Sequence, residues 1–385
     1  MKSIKYIHLL LVVSSYSCSS SPKTKEGEMD IVTGTKAAEK GVGLADPKKP
    51  LAAESVFNWQ KFFKGPPSSK ERPALQAAIK QLSSSSSSAD LLKRGRNEFS
   101  LGLLGNAEAS FRQALRQDPR NIDALIELAA TLQRQRKVNA SLDVLTDARN
   151  KLNESEAPNP AQIFRYRYTL AMTYLVNDDR EKAHPILSDL VGKDRTFLPG
   201  YAALALSYLK DGKDSIAKFI VDQAIDRGGD HASLYNILGL LAERQGKQTA
   251  AKDQYNRALA LNDAYAPALV NRANLYLANQ ETGMAETDYK KALESDPANT
   301  DAMIGLAVVF RQTGRFSSAK EKLERVLDLD GDNPQARFNL AILLRDNLKD
   351  EGLALRYYNE VLQSDRASPS LRNMAKAAIE EIRNL

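Results

Sequence analysis

The chain has 385 residues, of which 43% are hydrophobic, so it exceeds one ordinary domain and has ample apolar material for a core. Its 54 Lys and Arg against 48 Asp and Glu give a net charge of +6, and no basic run stands out, so we expect no nucleic-acid partner. One cysteine and three histidines far apart in the chain exclude an internal disulfide and a Cys-rich metal centre. We therefore predict no metal and no cofactor.

Residues 1–17 have the build of a lipoprotein-type signal peptide. Two lysines precede a short apolar run at 7–13, which is too short to span a bilayer as a mature helix. The sole cysteine, Cys18, stands where a bacterial lipoprotein signal places its lipidated residue. The match to that signal is imperfect because Ser15 replaces the usual Leu and Tyr16 is bulky.

A lipidated Cys18 predicts a tether to the membrane, because each buried methylene of an acyl chain contributes about 0.8 kcal/mol. Ser19 rather than Asp follows the cysteine, which resembles the sorting signal for the outer membrane. We therefore expect an outer-membrane lipoprotein that faces the periplasm. A plain secretory signal, leaving a secreted or soluble periplasmic protein, is the alternative.

Residues 18–87 are predicted to form a flexible linker behind the lipidated cysteine. Lys, Glu, Gly, Pro and Ser dominate, and such a composition cannot bury enough apolar surface to offset the ordering of the backbone. A short helix is expected at 70–82, and an aromatic segment at 56–63 contains the only tryptophan. This segment is expected to dock on the repeats of its own chain or, alternatively, on a partner.

From residue 88 the sequence repeats. Units start near 88, 122, 164, 198, 232, 266, 300 and 334, so the spacing is 34 residues except for one interval of 42. A loop-like stretch at 151–160 supplies the eight extra residues, and the last unit has a one-residue insertion at 347–352. Each unit holds two amphipathic segments separated by a turn, which predicts a helix pair.

The two helices of each unit share a pattern of small and large residues. A small residue recurs inside the first helix, as Gly95, Ala129, Ala171, Ala205, Gly239, Ala273, Ala307 and Ala341. Another opens the second helix, as Ala107, Ser141, Ala183, Ala217, Ala251, Ala285, Ala319 and Ala354. Small side chains let two helices approach closely, and larger residues such as Phe111 and Tyr255 then fill the next gap.

This combination of spacing and residue types resembles the tetratricopeptide repeat family over residues 88–367. The resemblance implies an all-α, right-handed superhelical solenoid of about eight helix-turn-helix units that binds other proteins. Stacking of units is needed because one helix pair cannot bury its apolar face alone. The tail at 368–385 has helical apolar spacing with a polar face and is predicted to be a capping helix.

The resemblance also implies a concave groove lined by the first helices, which would hold a peptide segment or a folded domain. Much of the expected lining is aliphatic, namely Leu206, Leu209, Ile237, Leu240, Val270, Leu277, Ile304, Val308 and Ile342. The predicted partner-binding residues are Asn236, Asn271, Asn274 and Asn339, with Arg244, Arg311 and Arg345 towards one edge. Asparagine can pair with any extended backbone, and arginine can bind a carboxylate through two hydrogen bonds.

No catalytic pattern is present in the sequence. It contains no G-x-S-x-G, H-E-x-x-H, phosphate-binding G-x-x-x-x-G-K-[ST] or C-x-x-C motif, and no partner can be named for His184 or His231. The Lys, Asn and Arg set with which cytosolic relatives bind chaperone tails is also missing. We therefore expect neither an enzyme nor a small-molecule substrate.

The order of signal, lone cysteine, linker and repeat array resembles the pilotins of type IV pilus secretins and the repeat lipoprotein of gliding motility. This analogy of architecture predicts a scaffold that recruits or positions partners in a cell-envelope machine. An accessory subunit of a peptidoglycan- or polysaccharide-processing enzyme complex is the alternative.

Overall fold

The computed structural model describes residues 66–155 and 159–383. Within these ranges the chain forms eighteen α-helices and a π-helical turn, and it contains no strand. The predicted signal peptide at 1–17, Cys18 and the aromatic segment at 56–63 lie outside the described residues. No helix among the residues described is both long enough and apolar enough to cross a membrane.

Sixteen of the helices form eight consecutive antiparallel pairs, and we call the first helix of each pair A and the second B. The pairs are α2 (Ser88–Ser100) with α3 (Leu104–Gln117), α4 (Ile122–Arg134) with α5 (Val138–Glu154), α6 (Pro160–Val176) with α7 (Arg180–Lys193), α8 (Leu198–Lys210) with α9 (Asp214–Asp226), α10 (Ala232–Arg244) with α11 (Gln248–Leu261), α12 (Ala266–Ala278) with α13 (Thr282–Ser295), α14 (Thr300–Gln312) with α15 (Phe316–Leu329), and α16 (Pro334–Leu343) with α17 (Glu351–Gln363). Helix α1 (Arg72–Gln81) precedes them and α18 (Pro369–Arg383) follows. The fold is therefore an all-α, right-handed tetratricopeptide-type solenoid, as expected from the sequence.

Asparagine caps begin several of the A helices. The Oδ1 atoms of Asn121, Asn299 and Asn333 accept hydrogen bonds of 2.9–3.0 Å from the backbone N–H three residues further on. A cap of this kind satisfies a backbone donor that has no partner inside the helix. Seven A helices begin at the residue where the sequence analysis starts a unit, and the third begins at Pro160 instead of 164.

One residue in a left-handed backbone conformation follows each A helix. These residues are Gly102, Arg136, Asp178, Gly212, Gly246, Gln280, Gly314 and Lys349, with φ between 59° and 76°. Such a residue ends a helix by turning the chain so that the last carbonyls find donors. The interval of 42 residues between Arg136 and Asp178 contains the eight extra residues, and the interval of 35 before Lys349 contains the extra residue. Most of the eight lengthen α5 and α6 to 17 residues each, so the prediction of a loop over 151–160 was wrong for 151–154 and for Pro160.

The extra residue of the last unit lies in a π-helical turn, Leu344–Leu348, that continues α16. A π-turn holds one residue more than the same length of α-helix, so the insertion is absorbed without displacing α17. Leu344 remains buried and Leu348 is exposed.

The aliphatic side chains expected to line an open groove are buried, so this expectation was wrong. Ile237, Val308 and Ile342 are at most 3% exposed, and only Leu206 of that set is partly exposed. Consecutive A helices pack on one another, α10 on α12, α12 on α14 and α14 on α16, and they cover these side chains. The aliphatic side chains on the inner surface of the array are therefore part of the core.

Candidate functional site

The predicted groove asparagines lie on the inner side of the A helices, and all four are buried. Asn271 Nδ2 donates to Asn236 Oδ1 at 2.9 Å and so joins α12 to α10. The hydroxyl of Tyr289 donates to Asn274 Oδ1 at 2.6 Å, and Asn339 Nδ2 donates to the carbonyl of Gln335 at 2.8 Å. Each of the four side-chain amides therefore makes a hydrogen bond within the chain, so each asparagine stabilises the fold whether or not it also contacts a partner.

The three predicted arginines do not form one patch. Arg244 pairs with Asp214 at 3.1 Å, whereas Arg345 pairs with Asp346 at 2.6 Å and with Glu381 of α18 at 3.0 Å. The guanidinium of Arg311 makes no ion pair or hydrogen bond with the part of the chain that is described, and burial lowers its pKa. Among the three, Arg311 is therefore the side chain best placed to accept an external carboxylate.

The sequence analysis missed an ionic network on the inner surface of the first three pairs. Glu127 accepts from Arg96 Nε at 2.8 Å and from Arg165 Nη2 at 2.6 Å, and Asp123 also pairs with Arg165. Arg165 is 3% exposed, so the network is largely withdrawn from water. Glu127 and Arg96 occupy the same places of the repeat as Asn271 and Asn274, whereas Asp123 and Arg165 both stand at the second place of their units, counted from residues 122 and 164. Applying the repeat positions to the first units would have found this network.

Three charged side chains mark the interior of the superhelix. Arg136, Lys210 and Asp301 belong to the second, fourth and seventh pairs and are exposed to solvent. Even so, desolvation by the surrounding protein lowers the pKa of Lys210 and raises that of Asp301, and each senses the charge of Arg136. A side chain can be both exposed to solvent and partly desolvated when it extends into a narrow space between protein segments that water still enters, and we call this space the channel.

The two histidines of the repeat array are engaged within the fold. His184 Nε2 lies 2.7 Å from Ser207 Oγ, and its ring centre is 4.5 Å from that of Tyr208. His231 caps α10 by accepting from the backbone N–H of Ser233 at 3.3 Å. Burial lowers the pKa of both imidazoles. Across the described residues no group of His, Cys, Asp or Glu is arranged to hold a metal ion.

Comparison with known proteins identifies tetratricopeptide repeats in this chain. Sequence profiles for the tetratricopeptide repeat match residues 202–267, 277–337 and 309–370. A search of the curated proteins returns no significant match.

Two solved structures align with this chain, and the first supports the assignment of the fold. The crystal structure of the APC/C hetero-tetramer Cut9–Hcn1 aligns with a TM-score of 0.54 and 19% identity, over 80% of this chain and 60% of that one. This chain therefore spans less than two thirds of the protein it matches. The crystal structure of PilW, described as a widely conserved type IV pilus biogenesis factor, aligns with a TM-score of 0.43 and 19% identity, over 55% of this chain and 98% of that one.

Proposed function

We propose that this chain is a non-enzymatic scaffold for protein–protein interaction. The observation that supports this is the stack of eight helix pairs, since tetratricopeptide repeats generally bind other proteins. Peptide segments bind such surfaces through polar side chains that the fold already holds in place. We assign recognition to the channel charges Arg136, Lys210 and Asp301 together with Arg311.

We further propose that the scaffold is a lipoprotein of the bacterial cell envelope, anchored in the outer membrane through Cys18 and facing the periplasm. This part rests on the sequence of residues 1–18 alone. The partners would then be components of an envelope machine, for which pilus or secretin assembly and gliding motility are the nearest analogies of architecture.

The binding surface can be tested by affinity capture from detergent-solubilised envelopes. The bait is the full chain, either wild type or with Lys210→Gln and Arg311→Gln, and the control carries Lys218→Gln and Arg356→Gln. The control removes the same charge from exposed residues of α9 and α17 that pair only with neighbours on their own helix. We expect a partner that is retained by the wild type and the control and is reduced about tenfold or more by the interior variant, because charged hydrogen bonds contribute roughly 1.5–3 kcal/mol each.

Equal capture by the wild type and the interior variant would place recognition on another surface. Absence of any enriched partner would contradict the scaffold itself. The identity of a captured protein also distinguishes the two alternatives for the partner, which are a component of an assembly or motility machine and a glycan-processing enzyme.

The anchor is tested separately with Cys18→Ser. We expect the wild type in the membrane fraction and this variant in the soluble periplasmic fraction, because acylation begins at the Cys18 thiol and serine offers no thiol. Ser14→Ala serves as a control within the same segment. A Cys18→Ser variant that still sediments with membranes would contradict the lipidation.

A further inference from the structure

The first described residues lie against turns that occur much later in the chain. Asn262 Nδ2 donates to the carbonyl of Pro66 at 2.7 Å, and the backbone N–H of Ser69 donates to Asp263 Oδ1 at 3.1 Å. Arg72 Nη1 donates to the carbonyl of Ser295 at 3.2 Å, across 223 residues of sequence. The segment before the repeats thus bridges to the turns that follow α11 and α13.

The first two helix pairs also contact the turn that follows α13. Arg134 Nη2 lies 3.3 Å from Asp296 Oδ2, and its guanidinium covers the ring of Phe99 at 4.9 Å. Gly102 has a φ of +76°, and a Cβ atom at this position would lie 2.9 Å from Pro297 Cδ. Glycine therefore permits both the turn and the close approach of the two segments. Through these contacts, the first full turn of the superhelix packs against the second.

The contacts are of a different kind from those that join neighbouring helices. Arg134 and Asp296 retain 31% and 25% of their side-chain exposure, so water screens their attraction. A cavity of about 270 Å³ remains between the two turns, lined in part by Phe99, Tyr265 and Pro267. Asp296 Oδ1 is buried with no hydrogen-bond partner among the described residues, which weakens the contact further. A solvent-screened polar contact contributes little free energy, so it can separate while the helix pairs stay folded.

We propose that these contacts form a clasp that holds the first superhelical turn on the second and opens reversibly to admit a partner polypeptide to the interior. The clasp consists of residues 66–72, Phe99, Gly102 and Arg134 on one side and the turns at 262–267 and 295–299 on the other. When it is closed, the interior is reached only along the axis of the channel. When it is open, the side of the channel is reached as well. The role in admitting a partner rests on the proposed function, whereas the clasp itself does not.

Pulsed electron paramagnetic resonance tests the clasp without any partner. Spin labels are placed on the full chain in a Cys18→Ser background at Asn106 of α3 and Lys291 of α13, both of which are exposed and outside the clasp. The variants are Arg134→Glu, Asp296→Arg and the two together, and the control is Arg356→Glu on the exposed face of α17. Circular dichroism and urea unfolding establish that each variant keeps its helical fold.

We expect the wild type at low salt to give mainly one short distance, and each single reversal to increase a second, longer population. Loss of a surface ion pair changes the open-to-closed ratio by about 1.4- to 5-fold, and the added repulsion takes the change to the upper part of that range. The double variant, which restores opposite charges, should return to the wild-type distribution, and Arg356→Glu should not depart from it. Raising the salt concentration should populate the longer distance in the wild type, in the double variant and in Arg356→Glu, because each has opposite charges at positions 134 and 296, and should reduce it in the single reversals, whose repulsion is screened.

Identical distributions in the wild type and both single reversals would overturn the clasp, as would a wild type that is open at every salt concentration. Partner capture by the same variants tests the role in access, and the amount captured should rise with the open population. Capture that stays constant while the distances change would overturn that role, although the scaffold function would remain.

Discussion

At the scale of single residues, the solenoid depends on small side chains beside large ones. Gly95 lies against Phe111, Gly239 against Tyr255 and Gly305 against Tyr289, and in each case a Cβ atom would lie 2.3–2.5 Å from the aromatic ring. Tyr289 is fully buried, and its hydroxyl passes Gly305 to reach the amide of Asn274. The ring has no room to retreat, because protein interiors are packed as densely as organic crystals.

We predict that Gly305→Ala destabilises the protein by about 1–3 kcal/mol, which is the usual cost of overpacking a filled core. The matched control is Gly283→Ala in α13, where a Cβ atom meets nothing within 4 Å. Alanine there should be neutral or stabilising by up to about 1 kcal/mol, because it favours the helix. Urea unfolding followed by circular dichroism measures both, and equal midpoints for the two variants would contradict the packing argument.

At the scale of elements, the ends of helices decide where the repeats begin and stop. Asparagine caps such as Asn299 start A helices, and a left-handed residue closes each one whether or not it is glycine. The π-turn at 344–348 shows how the fold absorbs a change in length without losing the register of the stack. The last helix, α18, has one apolar side and covers the B helix of the eighth pair, as a terminal cap must.

We predict that Ile379→Ala in α18 lowers the free energy of unfolding by about 2 kcal/mol, the lower end of the range for a buried isoleucine, because a terminal helix can settle into the space. Ile379 is 5% exposed, whereas Lys376 on the same helix is exposed. Lys376→Ala should change stability by less than about 0.5 kcal/mol. Thermal and urea unfolding provide the measurement. An Ile379→Ala variant as stable as Lys376→Ala would mean that α18 does not cap the array.

At the scale of the whole molecule, the first superhelical turn contacts the second, so fewer than eight helix pairs complete one turn. The contacts of Ser69 with Asp263 and of Arg134 with Asp296 join segments that are far apart in sequence. Lys210 and Asp301, from the fourth and seventh pairs, both sense the charge of Arg136, and desolvation by surrounding protein lowers the pKa of the lysine and raises that of the aspartate. The apolar inner side chains such as Ile237 are buried, so an open apolar groove is not presented by the described residues.

The sequence by itself determined the helix pairs, their spacing and their inward faces. These depend on local chemistry, because a capping asparagine, a small residue at a helix crossing and an apolar stripe act within one or two neighbouring units. It also located the two insertions, since both appear as departures from a spacing of 34 residues, but not that the longer one mainly extends α5 and α6.

Only the tertiary structure decided which inward residues meet water. The angle between successive pairs is small for each unit but accumulates along the stack, so a slight change converts an open groove into a closed channel. Ile237 and Asn236 are buried, and Arg311 lacks the ion pairs that Arg345 makes, because of contacts that the repeat pattern does not encode. The contact between Arg134 and Asp296 has no counterpart in the repeat pattern, because it depends on the sum of those angles over a full turn.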